Sequence, residues 1–204
     1  MALHASAADP PAPADAEPRK HSLSVTAGLT PFYLSDAVGY DGLNAFSLSA
    51  PKPLLEGLSG DYMRSFGLVR VGVGLRYTYT QDTRPRGFKP WKTFAHELGI
   101  SGLLGLGGTT RSGVDIAATF GLGIGHCWMP SFDSYAPRWG VTGELLVSVA
   151  IPVTEASDIF LRSGSSIAYF IGNAPEVPEG YWPPDEPYLV RAYIPIELGY
   201  RRRF

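Results

Sequence analysis

Eight ionisable residues recur along this chain, most of them between apolar neighbours: Arg70, Arg76, Glu97, Asp115, Glu144, Arg162, Arg191 and Glu197. They are four of each sign. A lone charge in a narrow, water-poor interior is very costly, whereas charges that are paired and hydrogen-bonded offset much of their desolvation. Two chemistries follow from such a set: a structural salt-bridge network, or a relay for protons or ions. The balanced signs favour the network. Arg76 and Glu97 flank the stretch 82–92 at positions that face each other if a hairpin closes symmetrically there, so they are expected to form a cross-strand pair.

His96 and His126 form a second group. On adjacent strands they fall within one or two rungs of each other, and such a pair could serve a lipid-modifying hydrolase or acyltransferase, or bind a metal. Catalysis also needs a nucleophile and an orienting acid on the same face, and Glu97 has the opposite parity. Histidines meeting lipid headgroups are the better reading, with no catalytic residue, metal or cofactor assigned. Cys127 is the only cysteine, which excludes an internal disulfide and a cysteine-based zinc site; it reads as a small residue facing a crowded interior. No GxSxG, HExxH, phosphate-loop or dinucleotide fingerprint stands in a strand-to-helix context, and LLGLGGTT reads as a turn.

The elements that must carry these charges show a period of two, which is strand geometry. In residues 65–81, Val69, Val71, Val73, Leu75, Tyr77 and Tyr79 oppose Arg70, Gly72, Gly74, Arg76, Thr78 and Thr80. The same alternation marks strands over about 21–34, 94–107, 114–125, 141–151 and 188–204. It is poorer in 158–171, where Phe160 and Phe170 fall on the polar face, and a weak second strand is placed at about 45–51 with a connecting link at 52–64. The count is eight. Long polar stretches at 35–44, 82–92, 129–138 and 172–187 alternate with short turns at 108–112 and 154–157. Pro195, which has no donor for a ladder bond, predicts a bulge in the last strand.

Composition narrows the class. Net charge near −2 gives no basic field for nucleic acid. The 24 glycines and 18 prolines favour strands and turns over helices. Mean hydropathy near zero, with no apolar run of the roughly 18–20 residues that a spanning helix needs, excludes a helical membrane protein. Apolar rows with a charged, glycine-rich opposite face instead suit strands with lipid on one side and a small polar lumen on the other. A soluble lipocalin-like barrel would turn the apolar rows inward, but its water-facing side would carry far more Lys and Glu than these strands do. Aromatic residues near strand ends, namely Tyr77, Tyr79, Trp91, Phe94, Trp128, Trp139 and Tyr169, are expected to form interfacial girdles.

The last strand carries Ile194, Ile196, Leu198 and Tyr200 at alternate positions and ends on Phe204. This pattern resembles the terminal signal of bacterial outer-membrane β-barrels, from which Arg202 departs. The architecture resembles the small eight-stranded OmpA and OmpX type. That resemblance implies an all-β, eight-stranded antiparallel up-and-down transmembrane barrel over residues 21–204, with short periplasmic turns and longer extracellular loops. It also implies a Gram-negative outer-membrane location with both termini periplasmic. The implied partners are outer-membrane lipids, lipopolysaccharide and the barrel-assembly machinery, which reads Ile196, Leu198, Tyr200 and Phe204; no nucleic acid is implied, and the chain is taken as a monomer. Residues 1–20 are expected to be a residual signal-peptide end and a Pro/Ala-rich disordered tail.

Eight strands leave an interior just wide enough for side chains to fill. The expected function is therefore a non-enzymatic barrel with a salt-bridged, plugged lumen and a structural or surface-interaction role carried by its loops. The alternatives are a porin-like narrow channel for ions or small solutes and an outer-leaflet lipid-modifying enzyme.

Overall fold

The computed structural model describes residues 20–36, 47–49, 55–86, 89–128, 138–171 and 188–204, with side chains described at 20–29, 57–79, 96–128, 138–171 and 191–204. The strands are β1 (His21–Asp36), β2 (Ser47–Ser49), β3 (Leu55–Phe66), β4 (Val69–Arg86), β5 (Lys89–Thr109), β6 (Asp115–Trp128), β7 (Arg138–Thr154), β8 (Ser157–Ile171) and β9 (Tyr188–Arg203). Among the described residues there is no helix.

Eight of these strands close into an all-antiparallel barrel. Neighbours pair in chain order from β3 to β9, β3 pairs with β1, and β1 pairs with β9 to seal the cylinder. β2 is an accessory piece of three residues on the far end of β1, pairing Tyr33 with Ser49. The seam is closed to its last residue: the His21 and Phe204 backbones exchange both hydrogen bonds, at 3.1 and 2.9 Å. Closure removes the edge strands that an open sheet would present.

The second strand differs from the expectation. The barrel strand is β3, which covers most of the stretch 52–64 expected to be a link and the first two residues of the strand expected over 65–81, and the predicted segment at 45–51 contributes only β2. The outward row of β3 runs Leu58, Gly60, Tyr62, Arg64, Phe66, so a glycine and an arginine interrupt the apolar signal. The third predicted strand began four residues early for the same reason: a two-residue turn, Gly67 and Leu68, separates β3 from β4. Gly67 adopts φ of 67°, the left-handed conformation that such a tight hairpin requires. The predicted turn at 108–112 lies two residues later, where Val114 N donates to Thr110 Oγ1 at 3.1 Å and Gly113 N to the Thr110 carbonyl at 3.0 Å. The stretch 82–92, expected to be a loop, belongs to the β4–β5 hairpin up to Arg86 and from Lys89 onward. At 18 and 21 residues, these two strands far exceed the roughly 9–11 that cross a bilayer.

The bulge expected at Pro195 lies on the neighbouring strand. Between Leu29–Ile196 and Phe32–Ile194 the β1–β9 register shifts by one, so β1 holds the extra residue, while the β8–β9 register is the same on both sides of Pro195. The Pro195 carbonyl instead accepts a bond from Ser163 Oγ at 2.8 Å. Of the predicted connections, 35–44 lies outside the described residues from 37 on, 129–138 up to 137 and 172–187 throughout; so does the predicted tail 1–20 except Lys20.

The barrel is inside-out relative to a soluble protein. Leu122 and Leu198 are each 62 % exposed, and Val73, Leu75, Ile100, Ile124, Val141 and Leu145 are similarly bare. The buried set instead includes Asp61, Glu97, Asp115, Asp158, Arg162, Arg191 and Glu197. A continuous apolar belt of this extent is incompatible with a water-facing surface and suits hydrocarbon. That disposes of the lipocalin-like alternative, which needs the apolar rows to converge inward.

Candidate functional site: the lumen

Alternation is what puts the charges inside: every second residue of each strand must face the barrel axis. At the middle of the lumen, Arg162 on β8 donates Nε to Glu197 Oε2 at 2.6 Å, Nη1 to Asp61 Oδ2 at 2.5 Å and Nη2 to Ser59 Oγ at 2.6 Å. Its Nη2 also reaches Thr26 Oγ1 at 3.5 Å. Arg76 on β4 spans the lumen between Glu144 at 3.0 Å and Glu197 at 3.3 Å. Toward the long-connection end, Arg191 Nη1 donates to Glu97 Oε2 at 2.9 Å beside the fully buried Cys127.

Arg76 and Glu97 therefore do not form the cross-strand pair expected of them. Glu97 lies opposite Thr78, and Arg76 lies opposite Gly99. The hairpin centre sits one residue beyond the position that would place Arg76 opposite Glu97, which moves the pair onto a diagonal; both side chains then take partners across the lumen.

A separate cluster fills the turn end. Arg70 grips Asp115 with both terminal nitrogens, at 2.8 and 2.5 Å. Arg201 bridges Asp115 at 2.7 Å and Asp158 at 2.8 Å, and Arg203 reaches the other Asp158 oxygen at 2.7 Å. These are charge-assisted forks of the stronger kind.

All eight charges singled out from the sequence appear among these pairs, but five lumen groups were not singled out: Asp61, Asp158, Arg138, Arg201 and Arg203. Asp61 was hidden because its strand was read as a link. Asp158 stands at the start of β8, as the first residue of the strand expected over 158–171, where the alternation is poor. The parity of Arg201 and Arg203 with Glu197 was the available signal. Tyr193 and Phe170 are likewise buried inward, although aromatic residues on a polar face weaken the alternation.

Space inside is scarce. The gap lined by Arg76, Glu97, Glu144, Ser166 and Tyr193 holds about 10 Å³, roughly one water molecule. Inward glycines make room for the large groups: a Cβ on Gly121 would lie 2.5 Å from Glu144 Cγ, and one on Gly199 would overlap the Phe160 ring. At the turn end the lumen opens into a cavity of about 460 Å³, lined by Lys20, Arg70, Asp115, Arg201 and Arg203 among others.

The outer rim at the long-connection end carries a band of rings. Tyr77 OH lies 2.8 Å from His96 Nδ1, His96 stacks on Trp128 at 5.4 Å, and His126 sits 4.6 Å from Trp139. Tyr79 is 5.1 Å from His96, and Tyr169 continues the band on β8. The side chains of Trp91 and Phe94 lie outside the described set. The two histidines are on one face, as their parity requires, but Glu97 points away into the lumen. Among the described residues no group of three His, Cys, Asp or Glu is arranged to hold a metal ion. On the last strand Ile196, Leu198, Tyr200 and Phe204 all face outward, with Phe204 stacked on His21 at 6.0 Å.

No protein-family model and no curated protein sequence matches the chain. Among solved structures it is similar to Neisserial surface protein A, with TM-score 0.55, 13% identity, 90% of this chain and 97% of that one covered. It is also similar to the outer membrane protein OprG from Pseudomonas aeruginosa, with TM-score 0.53, 15% identity and 91% and 96% of the two chains covered. At such identities the likeness is one of fold: a closed eight-stranded antiparallel barrel of the kind solved for small outer-membrane proteins.

Proposed function

We propose that this chain is an integral barrel of the bacterial outer membrane, non-enzymatic, closed to solutes, and acting structurally or through the surfaces its long connections present. The observation that carries the closed lumen is the Arg76–Arg162–Glu197 junction. Two guanidinium groups share one carboxylate at mid-height, Asp61 and Glu144 flank them, and the remaining gap holds about one water. Moving any one of these groups aside would leave its partners buried and unpaired, which opposes spontaneous opening.

In this reading the long connections are extracellular and the short turns, with both described ends of the chain, are periplasmic. The band of Tyr77, His96, His126, Trp128 and Trp139 then meets lipid or lipopolysaccharide headgroups, and the outward row of β9 is what the assembly machinery reads during insertion of a monomer. Against an outer-leaflet enzyme, His96 is engaged by Tyr77 and, among the described residues, has no carboxylate beside it on its own face.

Planar-bilayer recording with the purified chain tests the closed state. The expected trace is flat, while reproducible unitary steps would replace this reading with a narrow channel. Deleting the connection at 172–187 should leave the barrel intact and abolish any whole-cell surface binding; binding that persists would move the role to another part of the chain.

A further inference from the structure

We propose that the turn-end mouth of the barrel is a binding site for a phosphate group. Five cationic side chains line it, Lys20, Arg64, Arg70, Arg201 and Arg203, with the carboxylate of Asp115. Counting Asp158, which Arg201 and Arg203 hold, and the terminal carboxylate of Phe204 beside His21, the surplus is two positive charges. In the middle of the same lumen every cation instead meets a carboxylate in a space that admits about one water. The surplus at the mouth surrounds a cavity of about 460 Å³, large enough for a phosphate and the group that bears it.

The donors are suitably placed. Arg203 Nε is buried with no hydrogen-bond acceptor among the described residues, while the rest of the Arg203 side chain keeps 29 % of its surface open toward the cavity it lines. Ser22, Ser65 and Thr109 line the same cavity. Arginine forks match phosphate geometry, lysine adds a mobile point charge, and a phosphate near neutral pH carries the one to two negative charges that this surplus calls for. The two bound carboxylates hold Arg70 and Arg201 in place, so the site is organised before the ligand arrives.

Two sources supply this chemistry. His21 lies 2.6 Å from the Tyr62 hydroxyl and between the Tyr62 and Phe204 rings. Rings of this kind mark headgroup level, which brings a phospholipid phosphodiester within reach of the mouth. A free phosphate monoester or inorganic phosphate in the facing compartment is the other.

The test uses the full chain in a non-ionic maltoside detergent and follows the arginine Nε–H signals by NMR as inorganic phosphate is added against sodium chloride of equal ionic strength. The expected result is a saturating shift of Arg203 and Arg201 with phosphate alone. Lys20→Gln and Arg203→Gln should each raise its midpoint about tenfold, the worth of one charge-assisted contact. Lys20 makes no ion pair with Asp115 or Asp158, so its variant keeps the proposal testable if Arg203→Gln folds poorly. Shifts that follow ionic strength alone, or a midpoint unmoved in Lys20→Gln, would overturn the proposal. A second arm repeats the titration in nanodiscs. If phosphatidylglycerol moves the same signals and raises the phosphate midpoint relative to phosphatidylcholine, the occupant is a headgroup; equal midpoints identify a free phosphate. Either outcome supports the site.

Discussion

The middle of the lumen and its turn-end mouth are built from the same residue types, arginines against carboxylates, yet they differ in balance and in room. At the middle, Arg162 satisfies Asp61, Glu197 and Ser59 within 2.6 Å, and both Arg162 and Glu197 are nearly inaccessible. At the mouth, Arg203 is partly open and cations outnumber carboxylates around a cavity of about 460 Å³. An ion pair's worth therefore depends on its surroundings. Where water is excluded, each partner depends strongly on the other; where water enters, the same contact is screened and weak.

That contrast can be broken most forcefully at Arg162. Arg162→Met leaves the buried Asp61 without its cation and Glu197 with Arg76 alone, and urea unfolding in detergent micelles should show a loss of about 3–5 kcal/mol. A change below about 1 kcal/mol would mean that water already enters the middle of the lumen. Replacing Arg191 by Met together with Glu97 by Leu should cost clearly less than Arg191→Met alone, because no orphan charge remains.

Packing around the network gives a smaller effect. Gly199→Ala places a methyl group against the Phe160 ring and should destabilise by about 1–3 kcal/mol. Adding Phe160→Leu should restore most of that loss; no restoration would place the strain elsewhere. At the mouth, Arg203→Gln is expected to cost less than about 1 kcal/mol, and its effect should shrink as salt rises from low to 1 M, whereas that of Arg162→Met should not. On the outer rim, Tyr77→Phe removes the contact with His96 and should cost about 1 kcal/mol, read as a shift in the unfolding midpoint.

Much of this architecture is written in the sequence as alternation. β4 is legible because Val69, Val71, Val73 and Leu75 leave no doubt about which face is apolar, and β6 and β9 are legible likewise. β3 is not, because Gly60 and Arg64 stand in its outward row and Asp61 then looks like part of a polar link. The charged residues can be found by parity, but their partners cannot. Arg162 and Asp61 are 101 residues apart and meet only because strand tilt and stagger bring β8 and β3 to one height across the axis. The Arg76 misassignment has the same origin: a hairpin centre displaced by one residue changes which side chains are opposite, and the lumen then offers nearer partners than the neighbouring strand does.

The account stands on which way the rows point. A nitroxide placed at Leu122, in a Cys127→Ser background and in phospholipid vesicles, reads this directly through its collisions with oxygen, which concentrates in hydrocarbon, and with a water-soluble nickel chelate. Strong oxygen and weak nickel accessibility is the predicted result. Nickel accessibility equal to that of a nitroxide on the exposed turn residue Glu155 would put the apolar belt in water and contradict the account.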